Sequence, residues 1–174
     1  MTSQDLIQTV CTVLCKTLTP SQAEEILAAT RPRSVPAGSI VFREGEEGSG
    51  LFLLLKGSVE VVKQGPNGPS QQLATVDAPS VLGEMSLVSE RRHSATVRAT
   101  TDAEFRVLAR ETFLRLLERD NLAAHKLLGA IAEVLARRLR RMNDMAMELL
   151  GRSDTPPMEE MARFKQKLFS EWSF

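Results

Sequence analysis

Between Val35 and about Leu108 the chain breaks into short apolar or alternating runs, each closed off by glycine or proline. The runs are Ser39–Phe42, Leu51–Leu55, Ser58–Val62, Gln72–Val76, Ala95–Ala99 and Glu104–Leu108. Turn-forming stretches separate them at Pro36-Ala37-Gly38, Glu44–Gly50, Lys56-Gly57 and Gly65-Pro66-Asn67-Gly68-Pro69. Many short strands closely spaced by glycine turns predict a sandwich, barrel or jelly roll. One stretch breaks the rhythm: Gly83–Leu87 reads as a loop leading into a helical turn between two strands.

Both flanks read as helix. Leu6, Val10, Val13 and Leu14 recur at helical spacing. A second helix begins at Thr19-Pro20-Ser21-Gln22, where Thr19 caps, Pro20 suits the first helical position and Gln22 completes a capping box. After Ala109 come a short amphipathic segment, Glu111–Glu118, and a long helix capped by Asn121 that runs to Leu150, with Gly151 placed to stop it. The fold class is therefore α+β: an antiparallel β jelly-roll barrel flanked by N-terminal helices and a long C-terminal helix. Residues 1–150 form one domain, with N-terminal helices over 1–33, the barrel over 34–109 and C-terminal helices over 110–150. Residues 151–174 are a linker, Ser153-Asp154-Thr155-Pro156-Pro157, and an amphipathic tail.

Composition narrows the function. Lys+Arg and Asp+Glu are each 22, so the chain lacks the basic excess of a dedicated nucleic-acid binder. Its longest apolar run is far too short to span a bilayer, and its N-terminus lacks the basic start and apolar block of a secretion signal. Cys11 and Cys15, the only cysteines, fall on one apolar helical face and read as buried thiols in a reducing, cytoplasmic compartment. No metal-ligand set and no Ser-His-Asp grouping is present, so no enzyme, cofactor or metal is expected.

The chemistry concentrates in Gly83-Glu84-Met85-Ser86-Leu87 and Arg91-Arg92-His93-Ser94-Ala95-Thr96. A glycine opening a helical turn exposes backbone N–H groups to an anion. Glu84 would repel phosphate and suits a sugar hydroxyl, whereas Ser94 and Thr96 can donate to the anion. Three segments together resemble the cyclic-nucleotide-binding domain family of catabolite activator proteins and protein kinase A regulatory subunits. They are Pro36–Gly45, Leu55-Lys56-Gly57-Ser58-Val59-Glu60-Val61 and the Gly83 cassette. The resemblance covers Leu6 to Leu150. It implies that Glu84 meets the ribose 2′-hydroxyl, and that the backbone at Met85 and Ser86, with a nearby Arg, meets the cyclic phosphate of cAMP or cGMP.

The Arg is displaced. Against the family pattern Pro-Arg-(Ser/Ala)-Ala-(Ser/Thr)-Val the chain reads Arg92-His93-Ser94-Ala95-Thr96-Val97. A guanidinium grips phosphate with a permanently charged planar fork, and a neutral imidazole does not. Losing one charge-assisted hydrogen bond costs about 1.5–3 kcal/mol, so weakened binding is expected. Arg91 would share the side of His93 in an extended chain, and Arg92 would point away. A slip in the preceding loop would reverse that, and a protonated His93 would make anion binding pH-dependent.

On the long helix, Leu128, Ile131, Leu135, Arg138, Met142, Met145 and Leu149 follow alternating three- and four-residue steps, a coiled-coil rhythm that predicts a homodimer through residues 121–150. Ala136-Arg137-Arg138-Leu139-Arg140-Arg141 resembles the activator group's dimer helix. Met142-Asn143 stands where that group places hydroxyl residues toward the base. The tail, residues 158–174, presents Met161, Phe164, Leu168 and Trp172 as a stripe for its own barrel, the pocket mouth or a partner protein. The stretch beyond the helix is too short for a winged helix-turn-helix, so direct sequence-specific DNA binding is not expected. Two readings stand. One is a regulatory module that binds a cyclic nucleotide weakly and signals through its C-terminal helix. The other is a ligand-free dimeric adaptor that uses the same fold to hold a partner protein.

Overall fold

The computed structural model describes residues 2–65, 68–88 and 92–150, with the backbone alone at 68, 69, 141, 142 and 145–150. Helix α1 (Ser3–Thr9) is capped by the Thr2 hydroxyl and passes into a π-helical turn, Val10–Leu14, where spacing alone predicts one regular helix. Helix α2 (Pro20–Ala28) starts on the expected capping box, Thr19 and Gln22 each accepting from the other's backbone N–H. The strands follow: β1 (Arg31–Val35), β2 (Ile40–Phe42), β3 (Gly50–Lys56), β4 (Ser58–Gly65), β5 (Gly68–Asp77) and β6 (Ser80–Leu82). After the short helix α3 (Met85–Val88) come β7 (Thr96–Ala99) and β8 (Ala103–Ala109), then α4 (Arg110–Glu118) and α5 (Leu122–Leu150).

The strands pair antiparallel in two four-stranded sheets, β1-β8-β3-β6 and β2-β7-β4-β5. This is the expected jelly roll between helical ends. Two strands differ from expectation. Arg31–Arg33, assigned to the helical section, belong to β1, where Pro32 is tolerated because β1 is an edge strand paired only with β8. The three residues of β6 are too few to display a period.

Burial explains the unequal look of the strands. In β4 the inward Val59 and Val61 are buried while Glu60 between them meets Arg98 directly across the ladder as an ion pair. β3 instead is apolar from Leu51 to Leu55 because it is covered on both faces. Phe52 and Leu54 enter the barrel core with Phe105 and Leu82, and Leu51 and Leu53 enter a second core with Val81 and Leu108. That second core receives the helices, through Val10, Leu14, Ile26, Phe113, Leu127 and Ile131. Cys15 is buried within it, whereas Cys11 is only half-buried.

Helix α5 is capped as predicted, the Asn121 side chain accepting from the Ala124 N–H at 2.9 Å. Lys126 fastens it to the N-terminal helices by donating at 2.9 Å to the Thr17 carbonyl and the Gln22 side chain. The predicted dimer stripe needs correction here. Ile131 is 0% exposed inside the domain's own core, and Leu128 and Leu135 pack half-buried against it, because this face covers the outer side of β3. Arg138 turns toward the barrel. The side chains of Met142, Met145 and Leu149, like Gly151 and the tail, lie outside the described residues. Among the described residues no helix is long and apolar enough to cross a membrane.

Gly50 marks the tightest turn into β3. Its φ is +129°, and a Cβ there would stand 2.2 Å from the Leu108 carbonyl oxygen. Gly50→Ala is expected to destabilise the fold by at least about 2 kcal/mol, read as a lowered urea midpoint with unchanged slope.

Candidate functional site

The residues around Gly83 and His93 come together at one end of the barrel. Gly83 holds φ +75°, and a Cβ on it would lie 2.6 Å from the Gly50 carbonyl oxygen, so only glycine lets the cassette settle onto β3. The chain then turns helical, the Ser86 N–H donating to the Gly83 carbonyl at 3.0 Å and the Leu87 N–H to that of Glu84 at 3.1 Å. Opposite this turn, residues 92–96 are stitched to the Glu44–Ser49 loop. Gly45 N–H donates to the His93 carbonyl and His93 N–H to the Glu46 carbonyl, both at 2.9 Å.

Between them lies a cavity of about 280 Å³. Its walls include the predicted Gly83, Glu84, Met85 and Ser86, and the predicted Arg92, His93, Ser94 and Ala95. Phe42, Val61, Leu82 and Val97 add an apolar wall that went unassigned, although the inward alternation of β4 already carried that signal for Val61. Thr96 is a correction: its hydroxyl accepts from the Glu44 N–H at 3.0 Å, and the residue is not part of the cavity wall. Arg91 lies outside the described residues.

Of the two alternatives for Arg92, the structure shows the inward one. β7 begins only at Thr96, so strand alternation does not govern residue 92. Arg92 contributes to the cavity wall, exposed at the rim, with Nη1 donating to the Gly45 carbonyl at 2.7 Å. This places one guanidinium at the mouth, beside the exposed Ser94.

His93, by contrast, is built into the wall. It is 5% exposed and stacks on Phe42 with ring centroids 4.0 Å apart. Its Nε2 lies 3.3 Å from the Ser49 amide nitrogen and 3.1 Å from the Ser49 hydroxyl, and its Nδ1 lies 3.3 Å from Ser86 Oγ. Burial depresses its pKa below the ordinary histidine value, against a smaller opposing pull from the Glu46 carboxylate. His93 is thus a neutral, packed side chain, and the idea of a protonated His93 gripping phosphate finds no support in this geometry.

Glu84 is the deepest charge, 1% exposed, and its partner comes from outside the barrel: Arg138 of α5 forms an ion pair with it. Arg138 was expected in a dimer seam. Its one sequence signal was that it alone interrupts an apolar stripe. Among the described residues no group of three or more His, Cys, Asp or Glu side chains is arranged to hold a metal ion.

Comparison with known proteins agrees with this fold. Residues 32–120 match the family described as the cyclic nucleotide-binding domain. The chain is 35% identical to the cyclic AMP receptor protein of Thermus thermophilus, over 77% of this chain and 60% of that protein. The chain therefore spans about three fifths of that relative's length. The crystal structure of the Thermus thermophilus catabolite activator protein superimposes with a TM-score of 0.66 at 35% identity, covering 78% of this chain and 61% of the other. A cyclic nucleotide-binding domain from Methylobacillus flagellatus shares the fold with a TM-score of 0.73 at 24% identity, covering 88% and 85%.

The depressed pKa of His93 sets a stability profile. Below the ordinary value of 6.5 the unfolded chain takes up a proton that the folded chain refuses, so stability falls with acidification from there down to the folded-state value. Above 6.5 this contribution is flat. Urea denaturation from pH 8 to 5 is expected to show that loss in the wild type and a much shallower one in His93→Gln.

Proposed function

The chain belongs to the cyclic nucleotide-binding domain family, and from that premise we propose that it is a non-enzymatic regulatory module. In this reading it takes cAMP or cGMP into the cavity behind Gly83 and reports occupancy through α5. The observation that carries the reading is the Glu84–Arg138 ion pair, because it joins the deepest polar group of the cavity to the long helix. A sugar hydroxyl arriving at Glu84 must share or replace Arg138, and either event changes how α5 is held. A ligand that binds the two arrangements unequally shifts their populations by that difference in affinity.

Phosphate contact falls to Arg92 at the mouth, with Ser94 and the backbone of Met85 and Ser86. A guanidinium at an exposed rim binds more weakly than one sealed in a wall, since water and salt screen it. The ligand is therefore held weakly.

We place the homodimer on a different face of α5. Gly129, Ala132, Ala136, Leu139 and Asn143 are all exposed and follow alternating three- and four-residue steps. Leu139 is 59% exposed, and small residues beside it let two helix backbones approach closely. Ala136→Glu is expected to shift the protein from dimer to monomer in sedimentation velocity, with helix content retained. Unchanged sedimentation would move the interface elsewhere.

The adaptor reading rests on one observation of its own: both ring nitrogens of His93 already have partners within the protein. It would use the dimer helix, and the tail over residues 158–174, to hold another protein. Calorimetric titration with cAMP and cGMP separates the two. The regulatory reading expects micromolar-range binding, weakened about tenfold in Arg92→Ala. A silent wild type that gains binding in His93→Arg would transfer the assignment to the adaptor.

A further inference from the structure

The hydrogen bonds around His93 fix more than its own position. An amide hydrogen cannot be turned away, and the Ser49 N–H points at His93 Nε2, so Nε2 must present its lone pair. A neutral imidazole then carries its single proton on Nδ1, which faces Ser86 Oγ at 3.3 Å. Ser86 Oγ accepts that hydrogen and is left with a hydroxyl proton of its own. Ser86 is 4% exposed, it borders the cavity, and among the described residues His93 is its one side-chain hydrogen-bonding partner.

We infer that Ser86 is a ligand-contacting donor whose hydroxyl proton is aimed into the cavity by the chain Ser49 N–H to His93 to Ser86, ready for an oxygen acceptor on the ligand. Two features work together in this assignment. The cavity gives the proton an outlet, and His93 denies Ser86 the role of donor toward the wall. A buried hydroxyl that must donate discriminates against a ligand that offers no acceptor there, because its proton would then be left unpaired. His93 and Ser49 are positioning residues in this scheme. His93 does not replace the missing guanidinium by charge; it sets the direction of a neutral donor beside it. The identity of the acceptor rests on the regulatory reading above, but the direction of the proton does not.

Long-range proton–nitrogen NMR of the nitrogen-15-labelled 174-residue chain at pH 7 reads the tautomer directly, with His125→Gln assigning the two histidines. A protonated Nδ1 and bare Nε2 on His93 are expected, and they should survive Ser49→Ala, which keeps the amide hydrogen. A proton on Nε2, or on both nitrogens, would overturn the inference. The ligand side is tested with cAMP: Ser86→Ala should weaken binding about tenfold and Ser86→Thr, which keeps the hydroxyl, by much less. Wild-type affinity in Ser86→Ala would overturn the contact. If the wild type ignores both cyclic nucleotides the regulatory reading fails, while the spectrum still decides the direction of the proton.

Discussion

Everything in this molecule is arranged around one strand that has no solvent face. β3 lies inside its sheet between β8 and β6, with the barrel core on one side and the helical core on the other. A strand buried on both faces must be apolar at successive positions, and Leu51–Leu55 is. Burying Phe52 and Leu54 inward and Leu51 and Leu53 outward stabilises two cores with one strand, each such side chain contributing about 1.5–3 kcal/mol. The outward core then dictates where the helices lie. Its apolar surface is covered by the N-terminal helices, α4 and the first turns of α5, and that covering absorbs Ile131 and Leu127 completely.

The site inherits its geometry from this arrangement. The cassette turns at Gly83, pressed against the Gly50 carbonyl at the start of β3, and the cavity lies between it and the barrel-core side chains Phe42, Val61, Leu82 and Val97. Arg138 lies on α5 beyond the residues buried in the helical core and reaches Glu84, so the deepest charge in the cavity is neutralised from a separate element. A buried carboxylate without such a partner costs several kcal/mol, so the fold and the site hold each other in place. The cavity and the long helix are coupled by an ion pair before any ligand is considered.

His93 is a buried piece of the cavity wall, packed on Phe42 with hydrogen-bonding partners at both nitrogens, and Arg92 stands at the rim with its guanidinium on the Gly45 carbonyl. The alternation of a strand suggested that Arg92 would face away. It does not, because the chain there is bonded to the Glu44–Ser49 loop and has not yet become a strand.

What the sequence determined by itself were features governed by local rules. Glycine turns between short runs specified a barrel and the Thr19–Gln22 pattern specified a helix start, whereas Gly83-Glu84 and Ser94-Ala95 stood out as one site only through the family resemblance, and the cavity they line is seen in the structure. The first two signals are legible because turn geometry, capping and period depend on near neighbours alone. The tertiary structure decided which way long side chains went when two destinations were available. Ile131 and Leu128 fit a heptad seam as well as a core face, since both require the same helical spacing. Arg138 could not be sent to Glu84 from spacing, since 54 positions separate them and only the packing of α5 across the barrel brings them together. The same holds for His93, whose pKa is lowered by burial and whose Nε2 meets an amide hydrogen from Ser49, 44 positions away. Periodicity describes one element at a time, and partners from distant elements exist only once the cores have set the distances between them.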